Sequence, residues 1–226
     1  MTDKVLRVGG ASGFWGDAAR ATPQLLNCPH LDYIVYDYLA EITMSIMARA
    51  RAKDDSRGYA VDFVTAAMKP NLGLIAERGI KVVSNAGGVN PEACTQALRA
   101  VIAEQGLALK VACVTGDDLM DSAQALQASG TTEMFSGEAF PPVEKLLSIN
   151  AYLGAFPIAR ALEMGADIVV TGRCVDSAVT LGACIHAFGW GRDDLDQLAM
   201  GSLAGHILEC GPQATGGNFT DWDQVP

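Results

Sequence analysis

Charge is scarce in this chain: Asp, Glu, Lys and Arg make up 19% of 226 residues, against 50% hydrophobic, below the ~25% charged fraction of an ordinary globular domain. Such a composition excludes intrinsic disorder, which needs low hydrophobicity and high charge. Positive charge is scarcer still. Lys and Arg number 16 against 26 Asp and Glu, a net charge of −10, so the chain lacks the field that gathers phosphate backbones and no nucleic-acid partner is expected. No apolar run reaches the ~18 residues of a membrane span; the nearest, Ser177 to Trp190, is short and broken by glycines and a histidine. The opening MTDKVLRVGG runs directly into a strand-like segment without the layout of a secretory signal. A cytoplasmic location without a membrane partner is therefore expected. The cysteines (Cys28, Cys94, Cys113, Cys174, Cys184, Cys210) include no Cys-x-x-Cys pair and no histidine at zinc spacing, which points to reduced, mostly buried thiols.

What is present is alternation. Short β-branched runs (VLRVGG, LDYIVYDYL, KVVSNAGG, LKVACVTG, ADIVVTGR) alternate with helical patterns over Glu41–Lys53, Asn71–Arg78, Pro91–Glu104, Asn150–Met164, Ser177–Phe188 and Leu195–Leu208. This is the signature of a mainly parallel sheet. The fold expected is a three-layer, Rossmann-like α/β domain over residues 1–226, with a β/α barrel as the alternative. Asn90 followed by Pro91 predicts a capped helix start, and Gly79, Gly106 and Gly165 predict left-handed helix ends. Asp54–Val64 and Ala128–Pro142 read as loops pinned by Phe63, Met134 and Phe140. The ending GPQATGGNFTDWDQVP offers no closing helix or strand. The chain is accordingly expected to be the N-terminal portion of a longer protein, or a homo-oligomer, since surface meant for a partner need not be polar.

Each strand candidate ends in small or polar residues, where open α/β sheets bind ligands. Gly9, Gly10, Ser12 and Gly13 form a turn able to cradle an anion, although it fits neither G-x-G-x-x-G nor the P-loop pattern and places Phe14 and Trp15 where a dinucleotide needs a small residue. Asn85, Gly87, Gly88 and Asn90 offer successive N–H groups to a carbonyl or phosphate oxygen, or form no more than a tight turn with an Asn cap. Asp37 and Glu41, four apart, share one face of a helix opening near Leu39; they can act as acid and base, or Asp37 caps that helix while Glu41 favours its dipole. Asp117 and Asp118 suit a divalent metal such as Mg²⁺, or ordinary capping. His206 and Glu209 suit a general-base pair. Arg173 and Asp176 follow the most regular strand and put an anion fork beside a carboxylate, unless the two merely lock their loop.

Taken together, GGASGFWGD at 9–17, DYIVYDYLAEITMSI at 32–46, VVSNAGGVNP at 82–91, NAYLGAFPIA at 150–159, ADIVVTGRCVDSA at 166–178 and LAGHILECGPQATGGNFTDW at 203–222 resemble the AtuA family of acyclic terpene utilisation. The resemblance implies an α/β fold, a cytoplasmic location, relatives that continue beyond this chain, and a place in the breakdown of citronellol and geraniol through acyl-CoA intermediates. It carries over no catalytic residue. An enzyme acting on a CoA thioester by lyase, hydratase or thioester chemistry is the function expected, since glycine-rich N–H groups suit the phosphorylated handle and Asn, Arg or a metal can polarise the carbonyl. The alternative is a non-catalytic subunit that organises pathway enzymes. An NAD-dependent oxidoreductase is disfavoured by the first turn.

Overall fold

Five short strands, β1 (Val8–Ser12), β2 (Tyr33–Tyr36), β3 (Lys81–Ser84), β4 (Val111–Val114) and β5 (Ile168–Thr171), form one parallel sheet in the order β1-β2-β3-β5-β4. The computed structural model describes residues 4–216 and Asp221. Helices α1 (Ala18–Leu25), α2 (Glu41–Arg51), α3 (Leu72–Arg78), α4 (Pro91–Glu104), α5 (Ala123–Ala128), α6 (Phe156–Glu163), α7 (Ala178–Phe188) and α8 (Leu195–Leu208) connect and follow the strands. Strict alternation along the strands divides the interior into two cores. Ile34, Tyr36, Val82, Ile168 and Val170 meet Met47, Phe63, Leu72, Ile75 and Leu98 on one face, while Tyr33, Val35, Val83 and Val169 meet Ile158, Leu162, Val179 and Ala183 on the other. A parallel sheet buried on both faces reads as near-continuous apolar runs, as β2, β4 and β5 do.

The strand order explains the division. From β1 through β3 to β4 the chain steps in one direction, so right-handed crossovers carry α1 to α4 over one face; the return from β4 to β5 reverses direction and sends α6 to the other. The three-layer α/β expectation is met. Gly79, Gly106 and Gly165 all take positive φ. Asn90 caps α4 by accepting from the Ala93 N–H at 3.3 Å, and its amide also holds the carbonyls of Asp55 and Arg57.

Several sequence expectations need correction. The helix expected over Asn150–Met164 begins only at Phe156, because the chain before it runs extended: Leu153 N–H donates to the Arg173 carbonyl at 3.1 Å, and Val175 N–H donates back to the Leu153 carbonyl at 2.9 Å. Helix α1, which follows the Gly9–Asp17 turn, carries no regular helical pattern in sequence because Pro23 lies inside its eight residues and removes one backbone donor. The loop ascribed to Asp54–Val64 passes into a π-helical turn, Phe63–Met68, closed by an i−5 bond from Lys69 N–H to Val64 that 3.6-residue periodicity cannot reveal. Phe63 is a buried anchor as expected, whereas Met134 is 83% exposed and pins nothing. Among the described residues no helix is long and apolar enough to cross a membrane. Of the ending expected to lack a closing element, Gly211–Thr215 form a short 3-10 turn packed against Ser12 of β1, and the residues from Gly217 onward lie, apart from Asp221, outside the described residues.

Candidate functional site

Strand β3 leads into α4 on one face and β5 into α7 on the other, so the carboxyl ends of β3 and β5 flank the crevice where open sheets bind ligands. Arg173 stands there. Its side chain is only 4% exposed, with Nη1 donating to Asp176 Oδ1 at 2.9 Å and to the Cys174 carbonyl at 3.1 Å. The Tyr152 ring covers the guanidinium, 4.1 Å from centroid to Cζ, a cation–π geometry. Nη2 is 3.7 Å from Glu41 Oε1, and Nε is buried without a partner. The Tyr152 hydroxyl donates to the same Glu41 oxygen at 2.7 Å, which holds the Glu41 carboxyl below its ordinary range, with Arg173 adding to the effect.

Beside Arg173 opens a cavity of about 420 Å³ whose wall includes Glu41, Met44, Ala48, Arg49, Lys145, Leu147, Tyr152 and Arg173. Three cations and one carboxylate line it, in a chain whose net charge is −10. Apolar side chains complete the wall, so the cavity suits an anionic ligand with an apolar part. A second cavity of about 360 Å³ shares Ala48, Leu147, Ser148 and Asn150 with it and extends toward Arg51 and Asp118.

Asp37 is buried at the end of β2. Its Oδ1 accepts from Asn85 Nδ2 at 2.6 Å and from Leu39 N–H at 3.1 Å, while Oδ2 has no partner. Burial pushes its carboxyl up to about 7; the two donors oppose the shift, and the charges of Asp176 and Glu209 reinforce it. Buried Cys174 senses Asp37, Arg173 and Asp176, and its thiol is pushed up to about 12, chiefly by burial. Of the residues selected from sequence, Arg173, Asp176, Asp37 and Glu209 therefore share one electrostatic environment. His206 does not join them: it is exposed on α8. The pairing of Asp37 with Glu41 on one helix face is also corrected, because α2 starts at Glu41 behind Ala40, leaving Asp37 in the crevice and Glu41 81% exposed.

The glycine-rich strand ends have packing roles that the sequence concealed. Gly9, Gly10 and Ser12 lie within β1. A Cβ on Gly10 would meet the Leu208 carbonyl oxygen at 2.6 Å, and one on Gly13 would meet that of Cys210 at 2.3 Å. The end of α8 thus lies directly on this strand end. Ser12 Oγ donates to the Asp37 carbonyl, and Gly13 N–H to Asp17 Oδ2. The N–H groups of Gly87 and Gly88 donate to the carbonyls of Thr171 and Asn85, so the donors offered to a phosphate are already engaged.

Asp117 and Asp118 diverge as well. Asp117 Oδ2 accepts from Arg173 N–H and Asn150 Nδ2, both at 2.8 Å, and its carboxylate packs where a Gly172 Cβ would stand, at 2.3 Å. Asp118 accepts from Met120 N–H and faces Arg51 at 3.8 Å. Among the described residues no group of three or more His, Cys, Asp or Glu is arranged to hold a metal. The residues overlooked in the sequence, Tyr152 and Asn150, sit in the segment taken for a helix; Gly154, and Pro157 in the first turn of α6, were the local signs of a break.

A family model described as acyclic terpene utilisation family protein AtuA matches residues 6–226. No curated protein and no solved structure matches the chain.

Proposed function

Because the chain belongs to the AtuA family of acyclic terpene utilisation, we propose that it is a cytoplasmic enzyme of branched acyl-CoA catabolism acting on a CoA thioester in the crevice beside Arg173. The observation that carries this reading is the buried guanidinium with an unpartnered Nε at the wall of a cavity rich in cations. Arg49 and Lys145 suit the phosphates of CoA. Met44, Ala48 and Leu147 suit the branched chain. Arg173 is suited to the oxyanion that develops when a thioester is enolised or attacked, a role fixed donors perform well in a water-poor site.

Asp37 supports lyase or hydratase chemistry. Both reactions need a group that takes up and returns a proton near neutral pH, and a carboxyl pushed up to about 7 meets that need. Asn85 holds Oδ1, and Oδ2 is buried without a partner. The test is a thermal-stability screen of the protein against CoA thioesters, free CoA and dinucleotides, since a ligand of the native state raises its stability. Stabilisation by branched acyl-CoA is expected; stabilisation by NAD or NADP alone would put a dehydrogenase in its place.

A second reading, a non-catalytic subunit that organises other pathway enzymes, draws on α8. Met200, Leu203 and Ile207 share its outward side and are exposed, while Gly201 and Gly205 face inward. That outward side fits association with another protein or a second copy.

A further inference from the structure

The Arg173 guanidinium is used on one edge only. Nη1 is anchored by Asp176 and the Cys174 carbonyl, whereas the edge that makes two parallel bonds to an oxyanion, Nε with Nη2, has one buried unpartnered donor and one contact of 3.7 Å. A charge-assisted N–H···O bond measures about 2.7–2.9 Å, so Glu41 approaches this edge without satisfying it. Glu41 is poorly held on its own account. It projects from the first turn of α2, is 81% exposed, and its Oε1 is shared with the Tyr152 hydroxyl at 2.7 Å. Glu41, Tyr152 and Arg173 all line the same cavity.

From this we infer that the Glu41 carboxylate, steadied by Tyr152, is a built-in stand-in for an oxyanion of the ligand, and that binding displaces the pair to free the Nε/Nη2 edge of Arg173. The inference rests on the proposal that the cavity takes an anionic ligand, and it adds two specificity-determining residues, Glu41 and Tyr152. A resident competitor lowers apparent affinity by the fraction of time it occupies the site. It also rejects neutral ligands, which cannot replace the charge taken from the buried guanidinium. A carboxylate and a phosphoryl group share the required pair of oxygens.

The test follows phenylglyoxal modification of Arg173 by peptide mass spectrometry on the whole chain, with exposed Arg20 as internal standard, in wild type, Glu41→Gln and Tyr152→Phe. Each variant keeps the shape of the side chain, and matching thermal melts verify the fold. Arg173 is expected to react about fivefold faster in either variant than in wild type, with Arg20 unchanged, and inorganic phosphate or succinate is expected to protect Glu41→Gln at about fivefold lower concentration. Protection by phosphate alone assigns the subsite to a phosphoryl group, and protection by succinate alone assigns it to a carboxylate; either supports the inference. Equal Arg173 reactivity in all three proteins, or no protection by either anion, overturns it. If acyl-CoA leaves the protein unstabilised while these anions protect Arg173, the thioester proposal fails and the subsite stands.

Discussion

Asn85 donates to Asp37 at 2.6 Å, joining the end of β3 to the end of β2 and leaving the second carboxylate oxygen of Asp37 buried without a partner. Asn85 Oδ1 accepts in turn from the Tyr38 N–H at 2.8 Å. One amide therefore fixes both the backbone and the side chain that flank the crevice.

A pH signature follows. The folded-state value of about 7 for Asp37 lies above its ordinary value of 3.8, so the folded chain keeps a proton that the unfolded chain has lost. Stability from this group is full at low pH, falls as pH rises from about 4 to about 7, and levels off above that. Asp37→Asn, neutral throughout, should gain on wild type between pH 5 and pH 8 by on the order of 2–3 kcal/mol. Denaturant melts at the two pH values measure it; parallel losses in both proteins would mean that Asp37 is charged in the fold at pH 5.

Asp117 Oδ2 accepts one hydrogen bond from the Arg173 backbone N–H and one from the Asn150 side chain. Asp117→Ala strands a buried backbone N–H, and the expected loss is about 2–4 kcal/mol. Chemical denaturation with EDTA and with Mg²⁺ should give the same loss. A loss confined to the Mg²⁺ sample would instead make Asp117 a metal ligand.

Two glycine substitutions separate packing from conformation. Gly13→Ala puts a methyl 2.3 Å from the Cys210 carbonyl oxygen and should destabilise by about 1–3 kcal/mol. Gly73→Ala, in α3 with open space around it, should stabilise by about 0.5–1 kcal/mol. If thermal melts show Gly13→Ala neutral, α8 does not rest on β1 as described.

Much of the architecture could be read from sequence because β2, β4 and β5 are near-continuous apolar runs and the glycine helix ends have one physical meaning. Arg173, Asp176 and Asp37 were selected because each follows a strand end that this topology brings to the crevice, whereas Glu209 was selected as the helical partner of His206 and reaches the same surroundings without it. Their surroundings were not legible. Glycines at 10 and 13 look like phosphate contacts until Leu208 and Cys210, some 200 residues away in sequence, are seen to lie on them. Tyr152 was hidden because apolar spacing in NAYLGAF mimics a helix, while backbone pairing with the Arg173 loop, a tertiary effect, keeps it extended.

Association is expected through the outward side of α8. Multi-angle light scattering should show dimers or larger species, and Leu203→Asp with Ile207→Asp should shift them toward monomer without lowering the melting temperature. A wild-type chain monodisperse as a monomer would contradict the assembly proposal.

Calorimetric titration of a branched acyl-CoA into wild type and Arg173→Lys shows whether Arg173 anchors the ligand through its fork. Lysine keeps the charge and loses the paired donors. In Arg173→Lys the Kd is expected to rise about 10–100-fold, equivalent to a lost charged hydrogen bond of about 1.5–3 kcal/mol, with the melting temperature little changed. Unaltered affinity beside a sharply lowered melting temperature would contradict that anchoring role and make Arg173 and Asp176 a structural pair that only locks the loop.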